Sequence, residues 1–229
     1  MVKYILFQRT AYARFARNKL LLIISKYWPK SFYEKVVEWE ADKRKDQIKK
    51  LFQRDILADY EDIRNFLPET CEKILDIGCG VAGIDIFLHR HYGSSDRPDF
   101  YLLDKSEIDK RVHYNFEPKG SFYNSLDLAR DFLTRNGLSN RQIHLLEATP
   151  QNTIDAPAGI DLVISLISWG FHYPVDTYLD RVYELMKDGG RLIIDLRPET
   201  DGQEKIKNKF RQVRKISDVK KTNRILAVK

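Results

Sequence analysis

The residues best placed to do chemistry are three glycines that follow a short apolar run. Lys73-Ile-Leu-Asp-Ile-Gly78 leads into Cys79 and Gly80, and Gly83 completes a G-x-G-x-x-G pattern. Glycines at this spacing let the backbone approach a nucleotide-containing ligand between a strand end and a helix N-terminus. Asp76 puts a carboxylate just before the loop, which would repel a pyrophosphate and attract a cationic group. The pattern therefore favours a nucleotide-type ligand that carries positive charge.

Three further polar side chains end predicted strands. Asp104 lies 24 residues beyond Gly80, where a carboxylate can accept hydrogen bonds from both hydroxyls of a ribose. Glu147 ends the next predicted strand, and Ser165 ends the one after it. Because ligands bind at the carboxyl ends of parallel strands, we expect all three side chains to lie near the glycine loop.

Aromatic residues crowd the segment that follows Ser165. Trp169, Phe171, His172 and Tyr173 occur within five residues, bounded by Gly170 and Pro174. Aromatic rings can shield a cation and hold an acceptor molecule, so Trp169 and Tyr173 are candidate substrate contacts. His172 has an ordinary pKa near neutrality and is the candidate general base. The alternative for His172 is a hydrogen-bonded packing residue.

The elements that must position these residues alternate between strand and helix. Residues 1–70 show helical spacing of apolar residues, and no strand pattern occurs before residue 73. Alternation then predicts a parallel sheet covered by helices on both faces. The last two predicted strands are joined by a short turn and must be antiparallel. The predicted strands are 73–78, 99–104, 142–147, 159–166, 191–196, 210–216 and 224–228, with helices at 84–91, 125–136 and 178–186.

This order of elements and the D-x-G-x-G motif of residues 76–80 resemble the class I S-adenosylmethionine-dependent methyltransferases over about residues 55–229. The resemblance implies an α/β fold, with a Rossmann-like, seven-stranded, mostly parallel sheet and a C-terminal antiparallel hairpin. Residues 1–70 would be an N-terminal helical extension or lid, and residues 71–229 the cofactor-binding domain. The implied cofactor is S-adenosyl-L-methionine, with adenine near Glu147 and the expected cofactor-binding residues being Asp76, Gly78, Cys79, Gly80, Asp104, Glu147 and Ser165.

Missing motifs narrow the acceptor. The segment after Ser165 lacks the Asn/Asp-Pro-Pro-Tyr motif of adenine N-methylation and the Pro-Cys nucleophile of cytosine methylation. Asp161 and Asp195 stand at the wrong strand positions for catechol-type metal ligands, so we expect no metal. Residues 168–174 and 120–125 resemble bacterial sugar O-methyltransferases encoded with surface-polysaccharide genes. That resemblance implies a sugar or glycolipid hydroxyl as acceptor, with Tyr123 and Asn124 as further substrate contacts.

Charge is unevenly distributed along the 229 residues, whose net charge is +6. Residues 1–54 hold 14 basic and 5 acidic residues, and residues 203–229 hold 10 basic and 2 acidic ones. Such termini suit an anionic partner, either RNA or a membrane surface, although a solvated helical face has the same composition. The apolar run at residues 20–24 is too short to cross a bilayer. We expect a cytoplasmic protein, with peripheral contact at the inner face of the membrane as one alternative.

Three other functions remain open at the level of sequence. An RNA methyltransferase would use the basic termini, and its activity would fall steeply with salt. A nicotinamide-dependent oxidoreductase would share only the G-x-G-x-x-G pattern. A non-catalytic binding module would keep the fold as a scaffold, without needing Asp76 or Asp104.

Overall fold

The computed structural model describes residues 1–25, 27–93, 97–106, 125–219 and 222–229. Its strands form one seven-stranded sheet in the order β3-β2-β1-β4-β6-β8-β7. The strands are β1 (Lys73–Ile77), β2 (Asp99–Asp104), β3 (Ile143–Glu147), β4 (Ile160–Ser165), β5 (Ser168–Tyr173), β6 (Met186–Leu196), β7 (Gln212–Val219) and β8 (Thr222–Val228). The helices are α1 (Val2–Gln8), α2 (Lys19–Ser25), α3 (Lys30–Lys43), α4 (Lys45–Ile63), α5 (Gly83–Tyr92), α6 (Leu126–Arg135), α7 (Leu179–Leu185) and α8 (Gly202–Lys209).

The predicted mixed sheet is confirmed. Strands β1, β2, β3, β4 and β6 are parallel, and β8 pairs antiparallel with both β6 and β7. The central strands are mostly apolar because both faces of the sheet are covered, and every residue of β4 is buried. One face packs against α1, α4 and α5, and the other packs against α7 and α8. This order brings the ends of β1, β2 and β4 side by side.

Four local features differ from the sequence interpretation. The aromatic segment forms an extended strand, β5, that lies outside the seven-stranded sheet. Strand β6 begins at Met186, before the predicted glycine turn, and the short helix α8 was not predicted. The helical stretch after Pro29 is divided at Arg44, whose backbone (φ −122°, ψ 22°) leaves the helical region. Each difference depends on tertiary contacts that local periodicity does not carry.

The N-terminal helices share a hydrophobic core with the sheet. Ile5 of α1 and Ile48 of α4 are fully buried in the same cluster as Leu102 of β2. Arg44 donates hydrogen bonds to Glu40 and to the carbonyl of Tyr12, and so joins α3 to the chain after α1. In the part of the chain that the structure describes, no helix is long and apolar enough to cross a membrane.

A buried ionic cluster joins α4 to the far edge of the sheet. Arg224 of β8 is fully buried and makes two hydrogen bonds to Asp195 of β6, at 2.7 and 2.9 Å. It also donates to Asp59 and Asp62 of α4, each at 3.0 Å. Asp195 in turn accepts a hydrogen bond from the backbone of Ile167, so the cluster reaches the turn that follows β4.

Candidate functional site

The glycine loop between β1 and α5 is held in an open conformation by its neighbours on β2. Gly78 and Gly80 have positive φ angles of 76° and 58°, a region that side chains disfavour. The amide of Gly78 donates to the carbonyl of Leu103 at 2.7 Å, and the amide of Gly80 donates to the Asp104 carboxylate at 2.8 Å. The loop is therefore a preformed backbone cradle at the end of the first strand.

The segment after β4 lies directly against this loop. A Cβ atom on Gly78 would stand 1.8 Å from the hydroxyl of Ser168, so only glycine allows the contact. Ser165, predicted to bind the cofactor, is fully buried. Its hydroxyl donates to the carbonyl of Ile77 at 2.7 Å and accepts from the amide of Trp169 at 3.0 Å. Ser165 therefore supports the floor of the site, and Ser168 is the serine at its surface.

Two N-terminal helices cover the other side of the loop. A Cβ atom on Gly80 would approach the amide oxygen of Gln8 to 2.9 Å, and one on Gly83 would collide with Phe52 of α4 at 2.6 Å. Gln8 is exposed although the three residues before it in α1 are buried. Sequence reasoning missed Gln8, because nothing in the pattern of α1 indicates which loop the helix meets.

Three carboxyl groups surround the loop, and two of them are deeply buried. Burial, followed by the repulsion of Asp85, raises the pKa of Asp76 well above its ordinary value. Burial also raises the pKa of Asp85, in the first turn of α5, to about 7. The side chains of Asp85 and Asp76 lie within hydrogen-bonding reach of each other. Burial and the nearby Asp104 raise the pKa of the Cys79 thiol, which stays neutral. The loop is thus an acidic environment.

The ends of β2 and β3 place Asp104 and Glu147 opposite each other in register. The two oxygens of Asp104 accept hydrogen bonds from the amides of Gly80 and Lys105. Glu147 is exposed and accepts from the amide of Ser106 at 2.7 Å. Both carboxylates therefore lie at the carboxyl ends of neighbouring strands, beside the glycine loop.

The aromatic residues of β5 and the following turn divide between core and site. Trp169 is fully buried, with its indole donating to the carbonyl of Val175 at 2.9 Å, and its contact with substrate stays a prediction. Tyr173 is nearly buried, and its hydroxyl interacts with Ser168, Asp76 and Asp104. Burial raises the pKa of Tyr173 strongly and that of Tyr178 to about 12. Tyr173 therefore lies against the glycine loop.

His172 lies in a different microenvironment, beside the residue that follows β6. Its ring contacts Phe171 at 5.0 Å, and the guanidinium of Arg197 lies 4.8 Å from the centre of the Phe171 ring. Burial, assisted by the charge of Arg197, lowers the pKa of His172 to about 4. The imidazole is therefore neutral at physiological pH, and Arg197 is a neighbour that the sequence did not reveal.

The turn that joins β4 to β5 is strained. Ile167 has a positive φ of 54°, which is unfavourable for a β-branched residue and persists only where the surroundings impose it. The hydrogen bond from its backbone to Asp195 is one such constraint. The predicted substrate contacts Tyr123 and Asn124, with the rest of residues 107–124, lie outside the described residues.

Comparisons with known proteins support the fold at low sequence identity. No protein-family model and no curated protein sequence matches the chain. A Nostoc punctiforme protein, provisionally named an O-methyltransferase, matches with a TM-score of 0.53 and 14% identity over 79% of this chain and 56% of its own length. The described chain thus spans little more than half of that protein.

Two further solved structures give the same result. A Thermotoga maritima S-adenosylmethionine-dependent O-methyltransferase matches with a TM-score of 0.51 and 17% identity, over 77% of this chain and 64% of that one. A Methanococcus maripaludis protein, provisionally named an S-adenosylmethionine-dependent methyltransferase, matches with a TM-score of 0.52 and 18% identity, over 83% and 92%. At these identities the likeness establishes the fold: a Rossmann-like methyltransferase fold.

Proposed function

We propose that this protein is an S-adenosylmethionine-dependent methyltransferase whose cofactor binds on the loop of residues 76–80. The observation that carries the proposal is the acidic cradle, by which we mean the glycine loop together with the buried carboxyls of Asp76 and Asp85. Asp76 and Asp85 are buried beside a backbone loop, and every nearby ionisable group that raises the pKa of Asp76 is another carboxyl. Buried carboxyls without a cation are unstable, so the site fits a cationic ligand and disfavours a dinucleotide pyrophosphate.

The residues of the site fit the parts of this cofactor. Asp76 and Asp85 suit the ammonium group of its amino-acid portion, and Asp104 and Glu147 suit the ribose and adenine. The absence of a Cβ at Gly78 and Gly80 lets Ser168 and Gln8 lie against the loop, where they can line the cofactor site. When bound, the cofactor supplies an activated methyl group on a sulfonium. Ser168 and Tyr173, the first and last residues of β5, lie beside the loop, where they can orient the reacting groups.

For the acceptor we propose a hydroxyl of a sugar or glycolipid, with His172 as the base. In this transfer the carbon–sulfur bond breaks as the new carbon–oxygen bond forms, and the hydroxyl proton passes to His172. Low pKa makes His172 a modest base, but it ensures that the imidazole is unprotonated and able to accept. The position of His172 supports this role. Its ring contacts Phe171, and the guanidinium of Arg197, which follows β6, lies over the Phe171 ring.

A methyl-transfer assay with isotopically labelled donor tests this function. The acceptor panel contains sugars, nucleotide-linked sugars, glycolipids and RNA. We expect label in a sugar or glycolipid, and a His172→Ala variant should lose about 10²–10⁴-fold in turnover if it removes a general base. His144→Ala is the matched control, because His144 stacks on Tyr101 of β2 in a similar aromatic contact but lies half exposed on β3. Label in RNA alone, or full turnover by His172→Ala, contradicts the proposal.

A further inference from the structure

The N-terminal region presents an apolar surface with no covering element among the described residues. Leu20 and Ile23 of α2 are 64% and 55% exposed, and Tyr27 just beyond it is 83% exposed. Leu21 and Ile24 are also more than one-third exposed, so large apolar side chains face solvent around most of this helix. We call the described residues 20–25 and 27 the apolar tip. Soluble monomers seldom expose contiguous apolar side chains on this scale without a binding role.

The apolar tip is held outward by a rigid aromatic base. Phe15 before α2 contacts Trp28 after it, with ring centroids 5.6 Å apart. Tyr33 lies 5.7 Å from Phe15, and Phe32 lies 5.0 Å from Trp28. These contacts join the residues that precede α2 to those that follow it. Helix α2 itself packs chiefly on the short turn at Phe15–Arg17. The exposure of the tip is therefore a consequence of how its two ends are anchored.

The charges around the apolar tip select its partner. The first 30 residues contain seven basic residues and no acidic one. Arg14, Arg17 and Lys19 are exposed next to the tip. Exposed leucine and isoleucine contribute little to RNA binding, whereas apolar side chains ringed by cations match the acyl and anionic headgroup layers of a bilayer. The seven-residue helix α2 is only ~10 Å long, so it can lie in the interface but cannot span it.

We infer that the apolar tip is a docking surface for an anionic phospholipid membrane, with its leucine and isoleucine side chains inserted and the flanking arginines on the headgroups. The inference is independent of the proposed methyl transfer. It would place the glycine loop near a membrane, because α1 precedes the tip and its last residue, Gln8, touches Gly80.

Vesicle co-sedimentation of the full chain tests the inference. Vesicles of phosphatidylcholine alone are compared with vesicles containing roughly one third phosphatidylglycerol, a composition that attracts basic segments. We expect binding only to the anionic vesicles and a decline with rising salt. Leu20→Ser with Ile23→Ser should weaken the apparent affinity about tenfold or more, because two inserted side chains are lost. Leu57→Ser, at a 43% exposed position of α4, should change nothing.

Four outcomes overturn the inference. The first is no binding to anionic vesicles at low salt. The second is binding that Leu20→Ser with Ile23→Ser leaves unchanged, since charge alone would then account for it. The third is concentration-dependent self-association, measured by sedimentation velocity, that this double variant abolishes while vesicles bind neither protein. Binding to RNA that displaces the protein from vesicles and is lost in Arg14→Gln with Arg17→Gln, but not in the leucine variant, also overturns it.

Discussion

Replacement of Arg224 is the sharpest test of how the N-terminal helices are fixed to the sheet. Arg224 is 0% exposed and bonds to three carboxylates, one on β6 and two on α4. In Arg224→Met a similar volume remains, but the guanidinium is lost. Asp195, also 0% exposed, then keeps its charge without its cation, and Asp59 keeps only the more distant Arg9 at 3.7 Å.

The expected loss of stability follows from this burial. Removal of one partner from a buried ion pair costs about 3–5 kcal/mol, because the other charge is stranded. That is a large part of the roughly 5–15 kcal/mol by which domains are stable. The loss should be smaller at acid pH. Burial already raises the pKa of Asp195 in the wild type, and loss of the Arg224 cation raises it further, so the folded variant binds the extra proton and its stability falls more steeply as pH rises.

Urea unfolding monitored by circular dichroism measures this loss. Arg64→Met is the control, since Arg64 pairs with Glu61 on the surface of the same region, both about half exposed, and should cost at most about 1 kcal/mol. Adding Asp195→Asn to Arg224→Met removes the stranded charge and should recover about 1–3 kcal/mol as coupling energy. An Arg224→Met variant that is as stable as Arg64→Met, or a double variant with no recovery of stability, would show that the buried ion pairs of Arg224 do not fix α4 to the sheet.

Three further predictions concern the site. Gly78→Ala should abolish cofactor binding, because its Cβ would lie 1.8 Å from the Ser168 hydroxyl. The control is Gly189→Ala, which has a matching φ of 75° but no neighbouring atoms. It should destabilise the fold by about 1 kcal/mol without affecting cofactor binding. Cofactor affinity should rise with pH until about 7, since a cationic ligand drives the proton from Asp85. In Asp85→Asn this step near pH 7 should disappear, and any remaining pH dependence should come from Asp76, whose pKa burial also raises. The pH dependence of turnover, by contrast, should show no titration of His172 above about pH 5. A kinetic pKa near 6.5 that disappears in His172→Ala would show that this side chain is not buried as described.

The sheet was predictable because its pattern is locally encoded. The strands Lys73–Ile77 and Ile160–Ser165 are mostly apolar, and the short connection before β8 requires an antiparallel pair. The glycine loop was predictable for the same reason, since positive φ angles leave a direct trace in residue type. Asp76 and Asp104 then followed from their positions at strand ends.

The rest of the site depends on contacts between distant residues. Asp85 reads as an ordinary acidic residue in the first turn of a helix, and only tertiary packing reveals that it is buried beside Asp76. Ser165 and Trp169 stand where ligand contacts are expected, yet their polar atoms are already bonded within the protein. Gln8 reaches the loop from the opposite end of the chain. No periodicity in sequence specifies such partners.

Calorimetric titration with S-adenosylmethionine is the most direct test of whether this cofactor binds at the loop of residues 76–80. We expect saturable one-to-one binding of S-adenosylmethionine by the wild-type protein and no heat with a nicotinamide dinucleotide. Asp76→Asn should bind S-adenosylmethionine at least about tenfold more weakly, because a factor of ten corresponds to about 1.4 kcal/mol of lost charge interaction. Unchanged circular dichroism would show that the variant is folded. Binding of the dinucleotide in place of S-adenosylmethionine, or equal affinity of wild type and Asp76→Asn for S-adenosylmethionine, would contradict the acidic cradle as the cofactor site.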